Sequence, residues 1–188
     1  GLSCLLARTG YTGELGYEIY IYAAKVGSLW DLLVDKGVAW GLKPAGLGAR
    51  DLLRLEMGYL LYGNDMGEDT TPLEANADWT VSFEKGEFIG SRALLAQRQA
   101  GVARRFVAFE LVEKAVPRHG FRIIDPVTSL PIGDVTSGNL SPLLQKGIGL
   151  GYVPVRFAEP GSSILIEIRN KTVPAHIVKP PFYKRKKA

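Results

Sequence analysis

From Arg104 to Val178 the chain offers strand and turn signals and no helical period. Asp125-Pro126, Asn139, Glu159-Pro160-Gly161 and Asn170-Lys171 sit at or near the junctions as turn chemistry. The pattern predicts strands over residues 104–111, 120–125, 131–136, 147–153, 163–169 and 172–178. Six short strands at this spacing suggest a small antiparallel barrel or sandwich. Before Gly101 the pattern is mixed, so the chain divides near that residue. Residues 1–101 are expected to form an α+β region and residues 102–188 a small antiparallel β-barrel or sandwich domain.

The α+β region opens on Arg8-Thr9-Gly10-Tyr11-Thr12-Gly13-Glu14-Leu15-Gly16-Tyr17-Glu18, with three glycines in seven residues. Such a segment turns tightly between strands, here predicted over 3–8 and 17–22. From Lys25 the period becomes helical, with Val26, Leu29, Trp30, Leu33 and Val34 on one face. Lys36-Gly37 supplies a stop, with the glycine expected in the left-handed region. A second helix runs from 44 or 47 to 57 and sets Arg50 and Arg54 at i,i+4 spacing. Residues 58–78 form a long loop, and loops of that length favour a functional or interface role. Trp79 to Phe83 alternates as a strand, and Ser91 to Gln99 reads as a helix with Ser91 as its N-cap.

Composition removes several classes of function. The chain has 188 residues and is 46% hydrophobic, enough for one ordinary core or two small ones. No apolar run approaches the ~20 residues needed to cross a bilayer, and Gly1 to Ala7 reads as a strand and not as a signal peptide. Cys4 is the only cysteine, so no internal disulfide or Cys-based metal site is expected. His119 and His176 are far apart and lack an acidic ligand pattern, which argues against a metal site. The net charge of +4 equals that of Lys184-Arg185-Lys186-Lys187, leaving a nearly neutral body. With no stacking-aromatic module, that tail reads as a solvated terminus and not a nucleic-acid site.

Two residues stand out for chemistry. Glu14, between glycines near a turn tip, is placed to face a ligand, although a solvated hairpin turn has the same composition. Arg50, on the second predicted helix, suits an anionic group, although on the residues alone an exposed arginine paired with a neighbouring acid is the preferred reading. Gly133-Asp134-Val135-Thr136-Ser137-Gly138 invites a catalytic-serine reading, but two isolated histidines make no Ser-His-Asp arrangement.

Four segments, taken together and in order, carry a resemblance. They are the opening glycine-rich stretch, Gly46-Leu47-Gly48-Ala49-Arg50-Asp51-Leu52-Leu53-Arg54-Leu55-Glu56 with Tyr59-Leu60-Leu61-Tyr62-Gly63-Asn64-Asp65, Thr71-Pro72-Leu73-Glu74, and Val135-Thr136-Ser137-Gly138. From residue 1 to about 183 the chain resembles the T-protein of the glycine cleavage system, the tetrahydrofolate-dependent aminomethyltransferase. That family's chain is about twice as long, and this sequence corresponds to its C-terminal half, so the α+β folate-binding domain is expected to be incomplete.

The resemblance implies transfer of a methylene from the aminomethyl-lipoyl arm of the H-protein to tetrahydrofolate, with release of ammonia. It implies Glu14, Arg50, Tyr59 and Tyr183 as folate-contacting residues. Their chemistry suits the ligand. A carboxylate accepts paired pterin N–H donors, arginine holds the tail carboxylates bidentately, and tyrosine lines a flat slot. The family's essential aspartate belongs to the N-terminal half. Asp51 and Asp65 lie in other motifs, and Asp51 is read as supporting its helix or pairing with an arginine. The piece alone is therefore expected to be inactive, with the N-terminal half or a second chain as partner. Residues 133–138 are expected in a turn packed against the central channel. The setting implied is a bacterial cytoplasm, or the mitochondrial matrix of a eukaryote. Still open are a related dimethylglycine or sarcosine dehydrogenase, a folate-dependent demethylase, and a non-catalytic folate-binding module.

Overall fold

The computed structural model describes residues 1–184, so residues 185–187 of the basic tail lie outside the described residues. It contains two compact units, residues 1–54 and residues 55–188. In the second unit six strands close into an antiparallel barrel, β3 (Arg104–Leu111), β4 (Arg122–Ile124), β5 (Pro131–Ser141), β6 (Lys146–Pro154), β7 (Ser163–Ile168) and β8 (Lys171–Val178). Their order around the barrel is β3-β6-β5-β4-β7-β8. Closure leaves the barrel no free edge.

Period-two alternation fills the interior with Val107, Phe109, Leu111, Ile123, Val135, Val153, Ile164, Ile166, Ala175 and Ile177. On β6 the inward positions before Val153 are Gly147, Gly149 and Gly151. Phe109 pairs with Gly149 across the strands, and a Cβ built there would lie 2.3 Å from the ring. The large residue fits because its neighbour has no side chain. The β7–β8 turn places Arg169 and Asn170 at φ of 48° and 65°, the twist a two-residue hairpin loop requires. Ile148, Leu150 and Tyr152 point outward yet are buried. Polar links from residues 65–76 tie to this wall: Tyr152 donates to the Asp65 carbonyl at 2.9 Å, and the Phe106 N–H donates to the Glu74 carbonyl at 2.8 Å.

The first unit contains β1 (Leu5–Ala7) paired with β2 (Glu18–Tyr20), α1 (Val26–Gly37), and most of α2 (Leu47–Glu56). Among the described residues β1 and β2 pair only with each other, so both ribbon edges are open. No hydrophobic residue of 1–54 is buried, and Trp30 and Trp40 are 54% and 91% exposed. The expected apolar face of α1 thus lies largely at the surface.

Local corrections have physical causes. Gly37 is helical, and the left-handed residue is Gly41 at φ 78°, after a 3-10 turn over Val38–Trp40. Gly37 is needed instead because Leu42 folds back on it, 2.6 Å from where a Cβ would be. Gly90, not Ser91, occupies the N-cap of α3 (Ser91–Ala100), and the Ser91 hydroxyl accepts the Phe88 N–H. Trp79 to Phe83 does not form a strand. It holds 3-10 turns at Asp78–Thr80 and Phe83–Lys85, because the Thr80 and Val81 N–H groups bond locally to Ala77 and Asp78.

Gly149→Ala is expected to cost about 1–3 kcal/mol by overpacking against Phe109. Urea unfolding of the barrel measures it, and an unchanged midpoint would contradict the fit.

Candidate functional site

In the first unit the glycine-rich loop meets α2 where Tyr11 lies against Arg50. The Arg50 guanidinium lies 4.7 Å from the centroid of the Tyr11 ring, a cation–π stack that holds the helix against the loop carrying Glu14. Gly13, at φ 71°, takes the left-handed conformation that lets the loop turn just before Glu14. The Glu14 N–H donates to the Thr12 hydroxyl at 3.3 Å. Glu14 and Arg50 are both exposed. Arg54, one turn on, is buried and donates twice to Asp51 Oδ1, at 2.8 Å from Nε and 2.7 Å from the terminal nitrogen. Asp51 therefore pairs with an arginine, as its position on the helix suggests.

Tyr59 and Tyr183 belong to the second unit, and neighbouring backbone brings their segments together. The Phe182 and Tyr183 N–H groups donate to the Glu56 carbonyl at 2.9 and 3.3 Å. Gly58, at φ 70°, faces Pro180 so closely that a Cβ would lie 2.6 Å from the proline Cβ. The chain end thus lies along the segment that leads into Tyr59. The buried Glu56 side chain accepts the Ser141 hydroxyl at 2.6 Å.

Asp65 is buried at 1% exposure. Its carboxylate accepts the Leu61 N–H at 2.9 Å and the Thr136 hydroxyl at 2.5 Å. Residues 133–138 form part of β5, not a turn, with a register shift between Val135 and Ser137. Their glycines permit close approach, since a Cβ at Gly133 would lie 1.9 Å from the Tyr152 carbonyl oxygen.

Thr71 and Glu74 form a reciprocal cap. Glu74 Oε2 accepts the Thr71 N–H and hydroxyl, while the Thr71 hydroxyl accepts the Glu74 N–H. Glu74 Oε1 takes Arg104 Nε at 2.9 Å, and Arg104 also lies over the Tyr152 ring at 4.9 Å. Burial raises the Glu74 pKa, but the bonds from Thr71 and Arg104 together outweigh it, leaving the carboxyl below its ordinary 4.5. Burial also pushes the Tyr152 phenol up to about 12.

A cavity of about 530 Å³, lined in part by Val81, Phe83, Gln97, Arg98 and Arg105, contains none of the four predicted contact residues. Among the described residues no group of three or more His, Cys, Asp or Glu side chains is placed to hold a metal ion. None of their helices is long and apolar enough to cross a membrane.

Residues 1–85 match the family described as the GCVT N-terminal domain, and residues 104–184 match the glycine cleavage T-protein C-terminal barrel domain. The chain belongs to the glycine cleavage T-protein family. An aminomethyltransferase of Halothermothrix orenii is 52% identical over 182 residues, covering 97% of this chain and 50% of the relative. One from Caldanaerobacter subterraneus subsp. tengcongensis is 48% identical over 185 residues, covering 98% of this chain and 49% of the relative. The crystal structure of glycine cleavage system aminomethyltransferase T from Bartonella henselae matches with a TM-score of 0.88 at 35% identity, over 95% of this chain and 49% of that one. The chain spans about half the length of these relatives.

Sequence reasoning singled out Glu14 and Arg50 but not Tyr11, which links their elements. An aromatic inside a glycine-rich loop was the available signal. It also missed Glu56 and Ser141, whose partnership spans 85 positions and leaves no periodic trace.

A carboxyl whose folded pKa is depressed contributes stability that is present above its ordinary value and lost as pH falls through the lower one. Glu74→Gln is therefore expected to destabilise the chain near neutrality and progressively less below pH 4.5. Urea midpoints of the two proteins across that range measure the closing gap, and a constant gap would remove the charge from the account.

Proposed function

We propose that this chain supplies the C-terminal portion of an aminomethyltransferase, which passes a methylene from the aminomethyl-lipoyl arm of the H-protein to tetrahydrofolate and releases ammonia. The observation that carries this reading is its 52% identity to an aminomethyltransferase over nearly its whole length. Glu14 would accept the pterin ring N–H and amino donors, and Arg50 would hold the carboxylates of the tail. The stack on Tyr11 supports that role, because a guanidinium with a fixed plane loses less freedom on binding. Tyr59 and Tyr183 would add flat, half-polar contacts.

We assign no catalytic residue within the chain. The carboxylate beside the reacting nitrogen would come from polypeptide equivalent to the half of the relatives that this chain does not span. The lack of any buried hydrophobic residue in 1–54 and the two open edges of the β1–β2 ribbon support such a covering partner. The bacterial relatives support a cytoplasmic setting.

The chain alone is expected to bind tetrahydrofolate weakly and to show no aminomethyl transfer from the lipoyl carrier. Adding the complementary half in trans should restore transfer. In that mixture Glu14→Gln should weaken binding by about 1–3 kcal/mol, the scale for losing a charge-assisted partner. Titration and single-turnover assays measure both. Robust turnover by the 188 residues alone would overturn the assignment of the missing carboxylate.

A further inference from the structure

Two buried carboxylates flank Tyr59 in sequence, and both reach the same barrel strand. Glu56, three residues before it, accepts the Ser141 hydroxyl at 2.6 Å. Asp65, six residues after it, accepts the Thr136 hydroxyl at 2.5 Å. Ser141 and Thr136 both belong to β5. We propose that these two carboxylate–hydroxyl pairs form a clamp that fixes the Tyr59 segment and the Pro180–Tyr183 strap on the barrel, and so sets tetrahydrofolate affinity.

Each end of the clamp organises more than its own side chain. At the first end the Glu56 carbonyl takes the Phe182 and Tyr183 N–H groups, so anchoring Glu56 also anchors the strap. Gly58 lets Pro180 lie directly against the backbone there. At the second end Asp65 closes a turn through the Leu61 N–H, while its own N–H donates to the Leu61 carbonyl at 2.8 Å. The Tyr152 hydroxyl adds a third tie from β6 to the Asp65 carbonyl. Tyr59 itself is 38% exposed, so its ring is only partly covered. Charge-assisted bonds in a buried setting are costly to lose, since the carboxylate gives up a partner where water does not readily replace it. Glu56, Asp65, Ser141 and Thr136 are thus positioning residues, acting through Tyr59 and Tyr183.

The affinity part of this inference rests on the proposed tetrahydrofolate reading, whereas the clamp itself does not. The test compares the wild-type chain with the double variant Ser141→Ala/Thr136→Val and the conservative Thr136→Ser. Hydrogen exchange is followed in residues 57–64 and 180–183 and, separately, in β3 and β6. In the double variant, exchange in the two segments should rise and tetrahydrofolate affinity should fall, each by about tenfold or more, with barrel exchange unchanged. Thr136→Ser should behave as wild type. Equal exchange in the segments, or an equal rise across the barrel, overturns the clamp. If wild type binds and the double variant binds as tightly, the positioning role is overturned. If wild type binds no tetrahydrofolate, the functional reading fails, and the exchange pattern alone then decides for or against the clamp.

Discussion

The Phe109 ring occupies the space that a side chain at Gly149 would need, and the barrel closes around that fit. A closed sheet of six strands has a narrow interior, so large and small residues must alternate around it. Gly147, Gly149 and Gly151 on β6 make room for inward side chains of β3 and β4, and a Cβ at Gly151 would lie 2.9 Å from Ile123. Close packing at these points sets the register of β6 against β3. That register in turn decides which residues of β6 face outward.

Those outward residues form the next layer of packing. Ile148, Leu150 and Tyr152 are apolar or nearly so, and burying them gives the loop after α2 a surface to settle on. The polar groups the loop brings find partners there, as Asp65 does with Thr136 and Glu74 does with Arg104. A buried carboxylate without such partners would be too costly to keep. The loop after α2 is therefore held on the barrel by hydrogen bonds that the packing makes possible. The first unit has no comparable source of order within itself, since its apolar side chains lie at the surface.

Much of the barrel was legible because period-two alternation and turn chemistry are local. The predicted 104–111 strand matches β3, and five further strands appear close to their expected places. Trp79 to Phe83 has the same alternation but no partner strand among the described residues, so its N–H groups turn to nearby carbonyls. Alternation reports a capacity to pair, and pairing needs a second segment. Residue type pointed to Glu14 and Arg50 as ligand chemistry, and of the two roles open to Asp51, supporting its helix or pairing with an arginine, the structure shows the pairing. The Glu56–Ser141 and Asp65–Thr136 bonds were not legible, because they join positions 85 and 71 apart by three-dimensional proximity alone.

Arg104 bridges two groups whose titrations are pushed in opposite directions. Glu74 keeps its negative charge below the ordinary carboxyl range, and Tyr152 keeps its proton up to about 12. A raised phenol pKa contributes stability that is whole below the ordinary value of 10.0 and lost as pH climbs through the raised one. Between those limits Glu74, Arg104 and Tyr152 keep one pattern of charge and donors among themselves. They are electrically silent across the physiological range. A response of this protein to physiological pH would have to originate in other groups, with these three side chains serving as a fixed reference against which they act.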